Sequence, residues 1–159
     1  MKPLKILLGC VLALAMSPLL AQDNKGAMDS MRILQEKIKA DKKPMVAVNM
    51  DLTDAEAKGF WPVYEEYQAE LKKINERTAA LIVAYAKEFN ANSLTDEKAK
   101  KMIHEQIAIE ESEVKLKSSF VPKLSKVLPG KKVARYLQIE GKVRAVVKYE
   151  LADAVPLVQ

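Results

Sequence analysis

Eight residues spaced 4, 3, 4, 3, 4, 3 and 4 apart constrain this chain most: Phe60, Tyr64, Tyr67, Leu71, Ile74, Thr78, Leu81 and Tyr85. That alternation is an a/d heptad stripe, the pattern that lets one helix lie along another with a continuous seam. The stretch from Asp54 to Asn90 therefore reads as one helix, about 55 Å long at about 1.5 Å per residue. A helix of that length cannot bury its stripe alone. The rest of the chain, or a second copy in a homodimer, must cover it.

The local chemistry agrees with that start and end. Thr53 is suited to the N-cap, and Glu56 three residues on completes a capping box by reaching back to the Thr53 amide. Asp54 and Glu56 also suit the positive end of the helix dipole. Pro62 follows Gly59 closely, which predicts a kink near Phe60-Trp61-Pro62. Asn90-Ala91-Asn92 is the exit turn.

Leu94-Thr95-Asp96-Glu97 repeats the start signal, with Thr95 as cap. It opens a third helix expected to run to about Val127, with Met102, Ile103, Ile109, Leu116, Phe120 and Leu124 on or near its apolar side. Gln106, Glu110 and Glu113 interrupt that side, and Pro122 predicts a second kink. Leu128-Pro129-Gly130 is the last break, with Pro129 suited to a first helical turn. The fourth helix carries Val133, Tyr136, Leu137, Val143, Val147 and Leu151 as its stripe and ends at Pro156. The intervals between the three helix openings, 42 and 34 residues, are too unequal for a regular solenoid.

The N-terminus reads as a processing signal. Lys2 and Lys5 form a positive region, Ile6 to Met16 a short apolar core, and Ser17-Pro18 precede a small residue, Ala21, after which cleavage is expected. The run is too short to span a bilayer. Leu7-Leu8-Gly9-Cys10 would suit a lipid anchor, but most of the apolar core follows that cysteine rather than preceding it. Cys10 is the only cysteine of the chain, so a processed form has neither disulfides nor thiolate chemistry. Residues 22–27 are polar and read as a flexible leader. A first helix, capped by Asp29 or Ser30, carries Met31, Leu34 and Ile38 on its apolar face, with Ile33 at its margin. Pro44 places a kink or short break before a brief helical segment, Met45 to Met50. The fold class is all-α: about four helices in a single domain over 28–159, the second and third forming a long antiparallel hairpin. The scarcity of glycine, five in 159 residues, fits a mostly helical chain.

An export signal, a cysteine-free helical remainder, and helices opening Leu52-Thr53-Asp54-Ala55-Glu56 and Leu94-Thr95-Asp96-Glu97-Lys98 resemble the Spy/CpxP group of periplasmic helical proteins. Those helix openings are similar to the group's Leu-Thr-x-x-Gln motif, with Glu56 and Lys98 standing where it has Gln. The resemblance implies a hairpin-like helical cradle, often an antiparallel dimer, that binds unfolded clients without ATP. The alternative class of role is a regulatory binding module, a stress or metal-response sensor that docks on one membrane receptor.

Chemistry is sparse by comparison. His104 is the only histidine, and its helical neighbours Lys100, Ile107 and Ala108 supply no metal ligand, so neither a metal nor a cofactor is expected. Glu65-Glu66 and Glu110-Glu111-Glu113 read as solvated helix faces. Nucleophile motifs and phosphate-binding glycine loops are absent, and no enzymatic activity is expected.

Charge is distributed unevenly. From Lys115 to Lys148, ten basic residues (Lys115, Lys117, Lys123, Lys126, Lys131, Lys132, Arg135, Lys142, Arg144 and Lys148) face one acid, Glu140. From Asp51 to Glu70, six acids face Lys58. One reading is complementarity within the chain or a dimer. The other is a basic surface that steers acidic partners: unfolded polypeptides, a sensor domain, or anionic lipid head groups. Nucleic acid is disfavoured by the export signal. Trp61, off the a/d stripe, is either core or an apolar client contact beside the basic residues.

Overall fold

The computed structural model describes residues 42–158. They form four helices: α1 over 42–50, α2 Asp54–Asn90, α3 Asp96–Ser125 and α4 Gly130–Ala154, with no strand among the described residues. The processing signal over 1–21, the leader 22–27, and the opening of the first helix with Met31, Leu34 and Ile38 lie outside the described residues.

Residue numbers of facing partners climb along α2 as they fall along α3. A Cβ on Gly59 would meet Val127, Glu66 pairs with Lys123, Tyr67 stacks on Phe120, Arg77 bonds Glu105, and Glu88 pairs with Lys98. This is the antiparallel hairpin expected from the sequence. The α4 partners on α2 climb together instead: Phe60 with Tyr136, Gln68 with Glu140, Asn75 with Arg144, Tyr85 with the Pro156 carbonyl. The short α1 runs back along both, from Lys42 at Gln68 and Glu140 to Asn49 at Arg135. The arrangement is up-down-up-down, the topology that short connections favour.

Local chemistry places the turns. Thr53 and Glu56 make the reciprocal capping box, and Thr95 accepts from the Lys98 amide. After α2, Asn92 takes a left-handed φ of 48°, with its amide on Phe89 O and the Ser93 amide on Glu88 O. That pair of bonds is a Schellman ending with Asn in the position glycine usually fills. Asp51, at φ 47°, turns the chain between α1 and α2 in the same way. Pro129 sits one residue earlier than a first helical turn would place it. At the N-cap its carbonyl accepts from the Lys132 and Val133 amides at 2.8 and 3.1 Å.

The three prolines expected to kink or break helices, Pro44, Pro62 and Pro122, lie inside helices. Among the described residues α1 runs through Pro44 to Met50, with Lys42, Val46 and Met50 buried along one side, and the stretch before 42, where the expected kink or break would begin, lies outside them. Pro62 and Pro122 are exposed, and so are Lys58 and Ser118 four residues earlier. The carbonyls these prolines leave without a donor thus lie on wet faces, where water can replace the missing bond.

The core gathers where all four helices meet. Val46 and Met50 of α1, Phe60, Tyr64 and Tyr67 of α2, Phe120 and Leu124 of α3, and Val133 and Tyr136 of α4 are buried there. Edge-on aromatic contacts hold that layer, with Tyr136 at 5.1 Å from Phe60 and 5.8 Å from Tyr67. Farther along α2 the seam loosens: Ile74 is buried, but Leu71, Thr78, Leu81 and Tyr85 are half-buried.

Candidate functional site

Two buried ionic clusters lie between the helices. In the first, Lys42 Nζ of α1 donates to Gln68 Oε1 at 2.8 Å and to Glu140 Oε2 at 2.7 Å. Gln68 Nε2 in turn donates to Glu140 Oε1 at 2.9 Å and to the Tyr136 hydroxyl at 3.2 Å. The cluster ties α1, α2 and α4 together, and Lys42 and Glu140 are both buried. In the second, Arg144 forms an ion pair with buried Glu113, and Lys148 lies 3.6 Å from the same carboxylate. Arg144 also donates to Asn75 Oδ1 at 2.8 Å, while its Nε is buried without an acceptor. Desolvation, above all, lowers the Arg144 pKa.

Burial, reinforced by the Glu140 charge, raises the neighbouring tyrosines. Tyr64 is pushed up to about 12. Tyr67 and Tyr136 are shifted upward more strongly, again chiefly by burial. These hydroxyls are locked in the neutral form, a structural role.

The basic residues of 115–148 divide into two sets. Lys115, Lys123, Lys132, Arg144 and Lys148 pair with Glu111, Glu66, Glu56, Glu113 and Glu110. Two of these bonds, to Glu56 and Glu66, join the basic stretch to the acidic one on α2, so complementarity within the chain accounts for part of the charge asymmetry. Arg144 is withdrawn from the surface, its side chain only 15% exposed. Lys126, Lys131 and Lys142 are exposed and Lys117 is half-buried, all four with no carboxylate partner among the described residues, and exposed Arg135 bonds only the Asn49 carbonyl. The remaining basic surface is therefore centred on the α3–α4 turn and the outer side of α4.

Trp61 is half-buried rather than displayed. Its ring packs on Phe60 and Tyr64 at 5.0 and 5.3 Å, and Lys43 Nζ lies 5.3 Å from it. His104 is exposed, and among the described residues no three His, Cys, Asp or Glu side chains are grouped as metal ligands. Nor is any described helix long and apolar enough to cross a membrane.

A second surface was only half visible in the sequence. Ile103, expected on the apolar side of α3, is 58% exposed. It begins an outer stripe with Ile107, Val114 and Val121, which are 49, 63 and 39% exposed. The last three are spaced by seven, so they fall on one face, turned away from buried Ile109, Leu116 and Phe120. Midway along it, Ile107, Glu110, Glu111, Val114 and Lys115 line a shallow depression of ≈ 340 Å³. The sequence signal was this heptad spacing, masked by the stronger core stripe on the same helix.

Compared with family models, curated proteins and solved structures, the chain matches none.

Proposed function

We propose that this chain is an exported, ATP-independent, chaperone-like binding protein that holds unfolded or misfolded envelope polypeptides. The observation that carries the reading is the outer stripe of α3, where Ile103, Ile107, Val114 and Val121 are exposed in a row beside charged side chains. Exposed apolar rows of this kind suit partners that present extended apolar segments of many sequences. Lys126, Lys131 and Lys142 add a positive field that draws acidic segments in. The processing signal read over 1–21 supports a periplasmic place of action, and the Leu-Thr helix openings support the same class of role.

The test is suppression of aggregation of two unrelated unfolding proteins by the 22–159 form, at low and high salt. Protection of both at near-stoichiometric ratios, weaker in salt, is expected. Replacing Ile107 and Val114 by Asp should reduce protection several-fold and leave the melting temperature unchanged, since both side chains face solvent. Reversing Lys126, Lys131 and Lys142 to Glu should remove the salt dependence. Protection of neither client would sink this reading and point to docking on a single receptor.

A further inference from the structure

The outward face of α4 carries one sign of charge over most of its length. Lys131, Arg135, Gln138, Lys142, Ala145 and Tyr149 recur at intervals of four, three, four, three and four residues, and all are exposed. That spacing sets them in one line along the helix, opposite buried Val133, Tyr136 and Glu140. At about 1.5 Å per residue the line is about 27 Å long. Glu140 is the only acid between Lys131 and Tyr149, and it is turned inward and held by Lys42 and Gln68. The next acids, Glu150 and Asp153, come only after Tyr149. Lys131, Arg135 and Lys142 have no carboxylate partner among the described residues.

Charge alone would suit any polyanion, but the same face also carries exposed apolar groups at both ends. Tyr149 is 73% exposed seven residues from Lys142, and Val146, one turn before it, is 53% exposed. At the other end Arg135 donates to the Asn49 carbonyl of α1, whose neighbour Val48 is 82% exposed. Cations in line with an exposed aromatic ring and exposed aliphatic groups suit the water–lipid boundary. There phosphates meet the charges and the ring rests at head-group level. A soluble acidic segment would use the charges and leave Tyr149 and Val48 in water.

We propose that this face of α4 docks flat on a bilayer of anionic phospholipid, with Lys131, Arg135 and Lys142 on lipid phosphates and Tyr149 at the interface. The contact is peripheral, since no described helix is long and apolar enough to cross a membrane. The exposed row of α3 lies on another helix, so lipid docking and client holding stand or fall separately.

The experiment uses the full chain with Cys10→Ser and phosphatidylcholine vesicles with and without phosphatidylglycerol. Co-sedimentation with the anionic vesicles should weaken in salt, as each cation at such a surface strengthens binding about fivefold. Lys131→Glu combined with Lys142→Glu should weaken it at least about twentyfold, and Tyr149→Ala several-fold. A polarity-sensitive fluorophore on Ala145→Cys should turn bluer and brighter on those vesicles, whereas one on His104→Cys, exposed on α3, should not. That pair reads which face touches lipid, whatever the apolar run over 6–16 contributes. An unchanged Ala145→Cys signal on sedimented protein overturns the proposal, and so does equal binding by the charge-reversed chain. Binding to soluble polyglutamate but not to vesicles, or no loss with Tyr149→Ala, overturns the choice of lipid.

Discussion

Gly59 and Gly141 both stand inside helices, but a methyl group would meet different surroundings at each. At Gly141 nothing lies within 4 Å of an added Cβ, whereas at Gly59 the Val127 side chain would stand 3.0 Å away. Gly141→Ala should therefore stabilise the protein by about 0.5–1 kcal/mol through lower backbone entropy in the unfolded state. Gly59→Ala gains the same term but pushes α2 away from the α3–α4 turn, and overpacking of that kind costs about 1–3 kcal/mol. Urea denaturation should show the two alanines moving the midpoint in opposite directions. Buried Glu113 and its partner Arg144 call for a double substitution. Arg144→Ala leaves a buried carboxylate with only the more exposed Lys148 near it, and breaking such a pair costs about 3–5 kcal/mol. Glu113→Leu combined with Arg144→Met should recover most of that loss. A double variant as unstable as the single one would show that the pair itself, not the stranded charge, holds α3 to α4.

At the level of elements, the capped openings of α2 and α3 make a matched comparison. Thr53 takes part in a reciprocal box, while Thr95 accepts one amide and receives nothing back from Lys98. Thr53→Ala should cost about 1 kcal/mol or more, and Thr95→Ala less, since N-cap losses run about 0.5–2 kcal/mol. Glu56 is also held below its ordinary pKa, first by the Lys132 hydrogen bond and then by the Thr53 amide. A depressed folded pKa stabilises above the unfolded value of 4.5 and is lost as pH falls through the folded value. Glu56→Gln should accordingly flatten the acid side of a stability–pH profile below about pH 5. These elements were legible because heptad spacing and capping chemistry are local: the bounds of α2 and the roles of Thr53, Glu56 and Thr95 follow from neighbours in sequence. Glu113, Glu140 and Lys42 were not legible, because a charged residue in a core phase reads as an interruption until its partner is known. Lys42 and Glu140 are 98 residues apart.

For the molecule as a whole, the aromatic layer where four helices meet sets the response to alkali. Tyr64 ionises only at about 12 in the fold, against an ordinary 10.0, and Tyr67 and Tyr136 are displaced in the same direction. A tyrosine with a raised folded pKa favours the folded state fully below the unfolded value, and that contribution is lost as pH rises through the folded value. All three tyrosines pack into one layer, so none can ionise without water and charge entering the junction of α1, α2, α3 and α4. Stability should then be flat up to about pH 10 and fall steeply from there toward pH 12. Absorbance at 295 nm should show these tyrosines ionising together with the loss of helical circular dichroism. Tyr136→Phe removes a hydroxyl that accepts from Gln68 and should shift the alkaline transition to higher pH, at the cost of that bond. Smooth ionisation of all five tyrosines below about pH 11 with helicity intact would mean that the layer is open to solvent and that the bundle is not closed at this end.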